Sequence, residues 1–248
     1  APLDRGENVR REICLTLCEM GIRPESSHHE DGPGQNEIDF RYSDALSAAD
    51  NAFTFPSVVR SVAMRNGLAA DFSPKPLPNE SGNGMHINLS LAKPHTETAR
   101  DAFMAGLMEH ITEITAFLNP LSASYARFGE HKAPRYVTWS PENRSQLIRI
   151  PAAKGEFERL ELRSPDPACN PYLAFTLILY AGLDGVRRGL VPPPPTNVNL
   201  FTADASVTKG LKTLPKSREE AFALAANSAF VRSILPEGVF HAYETYSD

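Results

Sequence analysis

Along the first turns of the chain Val9, Ile13 and Leu17 recur at every fourth position, and Gly21 follows them. That spacing lays one apolar stripe on an α-helix, which the glycine stops. The opposite face, with Arg10, Arg11 and Glu12, is expected in solvent. The period then changes from four to two. In "NEIDFRYSD" the residues Ile38, Phe40 and Tyr42 alternate with Glu37, Asp39 and Arg41, which predicts a half-buried strand. A helix over residues 43–66 comes next, closed by Gly67 and kinked at Pro56. "MHINLSL" returns to alternation, with Met85, Ile87 and Leu89 inward and His86, Asn88 and Ser90 on the other face.

Residues 99–118 carry Phe103, Leu107, Ile111, Ile114 and Leu118 at helical spacing and stop at Asn119-Pro120. "RLELR" alternates once more, setting Arg159, Glu161 and Arg163 against Leu160 and Leu162. Asn170-Pro171 supplies a cap and a first-turn proline for an apolar, buried helix ending before Gly189. "VPPPPTNVNLFTADASVTKG" is too rich in proline for a helix or central strand and predicts a long extended loop. Ser217 and Glu220 form a capping box for a last helix over residues 218–234. No internal repeat occurs, and no boundary to a second domain falls before residue 190. Strands with one polar and one apolar face, mixed with helices, predict an α+β fold: a mainly antiparallel sheet, backed by helices, with a polar working face.

Composition narrows the chemistry. A chain of 248 residues with 42% apolar content builds a proper core. A net charge of −5 disfavours nucleic acid and membrane surfaces as partners and favours small molecules. Cys14, Cys18 and Cys169 are too few for a disulfide framework, and Cys14 with Cys18 reads as helix packing more than as half a zinc site. No apolar run reaches the length of a membrane span and no signal peptide opens the chain, so the cytoplasm is the expected compartment. The opening "APLDRGENVRR" resumes without an initiating Met and reads as the middle of a longer protein.

The polar positions collect two kinds of group. Glu30 and Glu37, on either side of Gly32-Pro33-Gly34, join His86 and Glu161 as donors suited to hard ions such as Mg2+ or Mn2+. Arg127, Arg144, Arg149, Arg159 and Arg163 suit phosphate and carboxylate by bidentate pairing. Acids for metal and arginines for anions spell phosphoryl transfer from a nucleotide. Any one of these acids or arginines taken alone is more often a surface ion pair, and His86 alone is more often a hydrogen-bonded structural histidine than a ligand. No "GxxxxGK[ST]" occurs, and "SGNGMH" has no helix after it, so neither a P-loop nor a dinucleotide fingerprint is present.

Five segments in order, "HHEDGPGQNEIDFRYSDALSAADN", "SPKPLPNESGNGMHINLSL", "NPLSASYARF", "APRYVTWSPENRSQLIRIP" and "RLELRSPDPACNPYLAF", together resemble the catalytic domain of the glutamine synthetases. The resemblance implies one catalytic domain over residues 1–248, with a curved half-barrel sheet of the glutamine synthetase/guanido kinase-like kind. It implies too that the N-terminal domain, the extreme C-terminus and a Glu-x-Glu metal strand lie outside this chain, and that active sites are shared between subunits of a homo-oligomer. Carried over by residue, it makes Glu30 and Glu37 ligands of one divalent ion, and His86 and Glu161 ligands of the other. Arg144 and Arg149 match arginines on the ATP phosphates, while Ser90 and Arg159 match the nucleotide side. Arg127 and Arg163 match arginines of the substrate carboxylate and the transferred phosphoryl group, and Gly82 matches the glutamate-binding loop.

The family pattern breaks at one place. A flap glutamate, thought to take a proton from ammonium, stands before Ala-Pro in that family, whereas Lys132 precedes Ala133-Pro134 here. Glu130 is the nearest replacement. The expected activity is ATP-dependent joining of glutamate and ammonia through a γ-glutamyl phosphate. A γ-glutamyl ligase using an organic amine and a catalytically silent relative are the alternatives. The regulatory "NLY" of bacterial members reads "NLF" with Phe201, so adenylylation is not expected there.

Overall fold

A computed structural model describes residues 4–92, 96–152 and 158–246. The chain forms two compact units: Ala1–Phe72 with Pro76–Ser81, and Ser73–Lys75 with Gly82–Asp248.

The first unit holds α1 (Glu7–Glu19), β1 (Pro24–His29), β2 (Asn36–Phe40) and α2 (Ala45–Arg65). The predicted stripe of α1 makes the core: Ile13 and Leu17 pack with Ile22, Val58 and Val62, and Ile38, Phe40 and Phe55 lean on them. Three expectations fail here. Arg10 is not solvated but only 5% exposed, because its guanidinium binds Asp4, Ser27 and Asn36, and paired hydrogen bonds offset the loss of water. Tyr42 is 71% exposed, since β2 ends at Phe40 and alternation beyond a strand has no sheet to pack on. Cys14 is half-buried and Cys18 exposed, so neither belongs to the core. α2 starts from Asp44, whose carboxylate accepts from the Ser47 amide, and runs unbroken through Pro56.

The second unit is built on a four-stranded sheet of β3 (Ile87–Leu89), β6 (Leu160–Leu162), β5 (Ile148–Ile150) and β4 (Trp139–Pro141), in that spatial order. β3–β6 and β6–β5 are antiparallel, and β5–β4 is parallel. With the antiparallel β1–β2 hairpin of the first unit, three of the four strand pairings are antiparallel, as expected. Ile87, Leu160 and Leu162 join the core with α3 (Glu97–Leu118) and α5 (Pro171–Arg188). These two helices cross so closely that a Cβ on Gly106 would lie 2.2 Å from the Ala181 carbonyl oxygen.

Asn170 caps α5 through the amides of Tyr172 and Leu173, but the helix is not buried all round. Ala174, Leu177, Ile178 and Ala181 face the core while Tyr180, Leu183 and Val186 stay exposed, because α3 covers only one side. The proline-rich loop is strapped to the sheet. Trp139 donates to the Pro193 carbonyl, the Thr196 amide to the Trp139 carbonyl, and Gln146 to the Val198 carbonyl, before a short α6 (Ala205–Thr208). The last predicted helix is two, α7 (Arg218–Asn227) and α8 (Ala229–Ile234). Ser228 ends one and caps the other by accepting from the Val231 amide. Short α4 (Ser122–Tyr125) and α9 (Glu237–Thr245) complete the unit.

Candidate active site

The hairpin of the first unit gathers one set of ligands. β1 and β2 pair so that His28 lies across from Glu37, and the Glu30 amide donates to the Gln35 carbonyl at 2.9 Å to close the turn. Residues two apart on a strand share a face, and a cross-strand partner shares it too. His28, Glu30 and Glu37 therefore converge: His28 Nε2 is 3.7 Å from Glu30 Oε2 and 3.9 Å from Glu37 Oε2. One donor atom from each lies within 4.8 Å of the others, the one such group of three among the described residues. Two carboxylates and an imidazole suit a divalent cation. Sequence reading placed Glu30 and Glu37 here but passed over His28, whose role shows only once the hairpin register is known.

The sheet of the second unit gathers the other set. Register places Glu161 opposite Asn88 on β3 and opposite Arg149 on β5. Its Oε1 accepts from Arg163 Nη1 at 2.9 Å and lies 3.5 Å from His86 Nδ1, and its Oε2 accepts from Arg149 Nη1 at 3.0 Å. The expected polar face is thus buried at its centre, where Arg163 is 2% exposed and Glu161 is buried with it, while His86, Asn88 and Ser90 are exposed. Burial opposes ionisation of Glu161, but the cation of Arg163, His86 and Arg149 outweigh it and hold the carboxyl below its usual range. Around His86, packed protein strips water from the ring although 32% of the side chain stays open, and the charge of Arg163 adds to that. Together they overcome Glu161 and push the imidazole down to about 3. His86 is neutral at ordinary pH, the form that ligates metal.

Arg163 is fixed by two carbonyls as well as by Glu161: Nε donates to Arg144 O at 3.1 Å and Nη2 to Lys132 O at 3.2 Å. Arg144 itself is exposed. Arg127 is 2% exposed and donates through Nη1 to the Ser164 carbonyl. The Gly82 loop presses on its stem, where a Cβ on Gly82 would lie 2.6 Å from Arg127 Cγ. Only glycine permits that approach. Ser90 and Arg159 line one pocket with Leu89, Leu91, Arg100 and Glu158, and Arg159 Nε donates to Asn88 Oδ1. Glu130 is exposed, and its carboxylate meets Lys75 Nζ at 3.3 Å. Lys75 was not singled out by sequence, nor were Asn119 and Asp166, buried beside Arg127.

A family model described as "Glutamine synthetase, catalytic domain" matches residues 1–247. The chain belongs to the glutamine synthetase family. It is 48% identical over 258 aligned residues to the glutamine synthetase of Methanosarcina mazei, covering 98% of this chain and 58% of that protein. Against the glutamine synthetase of Thermus thermophilus the identity is 42%, covering 97% of this chain and 57% of that protein. Among solved structures, "GmaS/ADP complex-Conformation 1" superposes with a TM-score of 0.86 at 32% identity, over 96% of this chain and 58% of that one. "Apo GmaS without ligand" gives 0.85 at 33%, over 98% and 58%. The chain thus spans rather more than half the length of the relatives it matches.

In this glutamine synthetase domain both donor sets suit a divalent ion chemically. The hairpin set offers three converging donors, and the sheet set offers an ionised carboxylate beside a neutral imidazole. The segment before Ala133-Pro134 departs from ordinary turn geometry: His131 and Lys132 both have positive φ, at 39° and 73°. Left-handed backbone at non-glycine residues costs on the order of 1–3 kcal/mol each and persists where surrounding bonds over-determine it. Here the Gly129 amide bonds to Ala133 O, the Ala133 amide to Glu130 O, and Arg163 to Lys132 O. Among the described residues no helix is long and apolar enough to cross a membrane.

Proposed function

We propose that this chain is the catalytic domain of an ATP-dependent ligase that joins the γ-carboxylate of glutamate to ammonia through a γ-glutamyl phosphate. The observation that carries the reading is the cluster in which buried Glu161 and partly open His86 meet Arg149 and Arg163, a cation-ligating pair set among guanidiniums. His28, Glu30 and Glu37 hold one Mg2+ or Mn2+, and His86 with Glu161 holds the other. When bound, these ions supply neutralisation of phosphate charge. Arg144 and Arg149 bind the ATP phosphates, and Ser90 and Arg159 line the nucleotide side. Arg127 and Arg163 orient the glutamate carboxylate and the transferring phosphoryl group, with Gly82 in the glutamate loop. A γ-carboxylate oxygen forms a bond to the γ-phosphorus as the bond to the bridging oxygen breaks, and that electron pair leaves with ADP. The amine nitrogen then attacks the acyl carbon, phosphate departs, and the proton lost from nitrogen passes to Glu130. The chain's part in the first step is alignment and charge neutralisation.

A second reading, in which the acceptor is an organic amine, draws support from the flap. Glu130 is paired to Lys75, and a cation, Lys132, stands where the family carries its glutamate. A lysine there repels ammonium rather than attracting it. On either reading the whole protein works on small molecules, as a homo-oligomer in the cytoplasm. The test is phosphate release by the full-length protein carrying this chain, with ATP, Mg2+ and glutamate, comparing ammonia with a panel of amines. Release with ammonia upholds the first reading, and release with organic amines alone moves the assignment to the second. No release with any amine sinks both.

A further inference from the structure

Arg127 is a fully buried cation with its guanidinium tied at one corner only. Nη1 donates to the Ser164 carbonyl at 3.1 Å and faces Asp166 Oδ2 at 3.5 Å. Nε is buried and has no hydrogen-bond partner among the described residues, while Nη2 sits 3.0 Å from where a Cβ on Gly84 would be. His86 Nε2 lies 3.4 Å from that same position. The Nε–Nη2 edge therefore turns toward the glycine loop and the histidine, and away from Asp166. A buried donor without an acceptor is costly, and an arginine edge pairs a planar carboxylate through two parallel hydrogen bonds.

Asp166 is 0% exposed and is itself locked in place. Its Oδ2 accepts from Asn119 Nδ2 at 2.8 Å, its Oδ1 from the Ala168 amide at 3.0 Å, and Asn119 Nδ2 also donates to Ser164 O. Burial pushes the Asp166 carboxyl up and the Arg127 guanidinium down, each opposed by the other's charge. We infer that Asp166, held by Asn119, is the positioning residue that fixes Arg127 so that its Nε–Nη2 edge meets the carboxylate of the substrate. Without the Asp166 charge, the Nη1 corner keeps only the Ser164 carbonyl, and a guanidinium free to turn about that one bond no longer presents its Nε–Nη2 edge in a fixed direction. This inference rests on the reading of Arg127 as a glutamate-binding arginine.

The test is a double-mutant cycle in the full-length enzyme, with Arg127→Lys, Asp166→Asn and the pair, reading kcat and the KM of glutamate and of ATP separately. Asp166→Asn is expected to raise the glutamate KM roughly tenfold while the ATP KM stays within about twofold, as loss of binding shared by ground and transition states requires. In the Arg127→Lys background the same substitution should change the glutamate KM by less than about twofold, because coupled residues are non-additive. Equal effects of Asp166→Asn in both backgrounds, or equal loss for both substrates, overturn the positioning role. If Arg127→Lys leaves the glutamate KM unchanged, the reading of Arg127 falls and the inference with it. If Arg127→Lys raises it and Asp166→Asn does not, only the inference falls. Should Asp166→Asn fail to fold by circular dichroism, Asn119→Ser takes its place. That variant removes the donor to Asp166 but leaves the ion pair, and an unchanged glutamate KM in it overturns the proposal.

Discussion

His86 shows what a residue's type does not reveal. Its polar place just before β3 was legible in the alternation of "MHINLSL", but its neutrality comes from packed surroundings and from Arg163, 77 positions further along the chain. The consequence is a pH dependence with a definite sign. The ring's ordinary value of 6.5 falls to about 3 in the folded chain, so between those values the unfolded chain binds more protons. The stabilisation is fully present above pH 6.5 and is lost as pH falls toward about 3. Urea midpoints measured from pH 7 downward should therefore decline less steeply in His86→Gln than in the parent; parallel curves would count against the burial of the ring. Asp166 and Arg10 were illegible for the same reason. A buried charge looks like a surface charge in sequence, and only its partners, Arg127 in one case and Asp4 in the other, distinguish the two.

Elements were read best where one physical signal dominated. The stripe of α3 and the Asn170-Pro171 start of α5 lie where spacing and capping placed them, since both are set by residues within a turn of each other. Asn170→Ala should cost about 1 kcal/mol by denaturant titration, from loss of the two amides it caps. Where elements meet, local signals fail. The α3–α5 crossing depends on Gly106 against Ala181, and a methyl group there has no space. Gly106→Ala should destabilise by about 1–3 kcal/mol despite the better helix propensity of alanine, whereas a neutral result would mean that the two helices separate freely. The division between α7 and α8 was missed because the serine that breaks the helix does so partly through Glu113, a distant residue bonded to its hydroxyl.

At the scale of the whole molecule, the two compact units have separate cores, one around Leu17 and Val62 and the other around Leu107, Ile111 and Leu162. Each should therefore respond to its own cavities. Leu17→Ala, costing about 2–5 kcal/mol, should lower hydrogen-exchange protection in α1, β1, β2 and α2 while leaving α3 and α5 unchanged; loss spread evenly over both would refute independent cores. Glu30 and Glu37 belong to the first unit, and His86 and Glu161 to the second. By itself the sequence determined the periods of its helices and strands, the mainly antiparallel α+β class, the donor types at the candidate site and the family, because each is carried by residue identity and short spacing. Tertiary structure alone decided that His28 joins Glu30 and Glu37, that Glu161 is clasped by two arginines, and that Asp166 lies under Arg127. Strand register and burial set those meetings, and both arise from contacts between residues far apart in the chain.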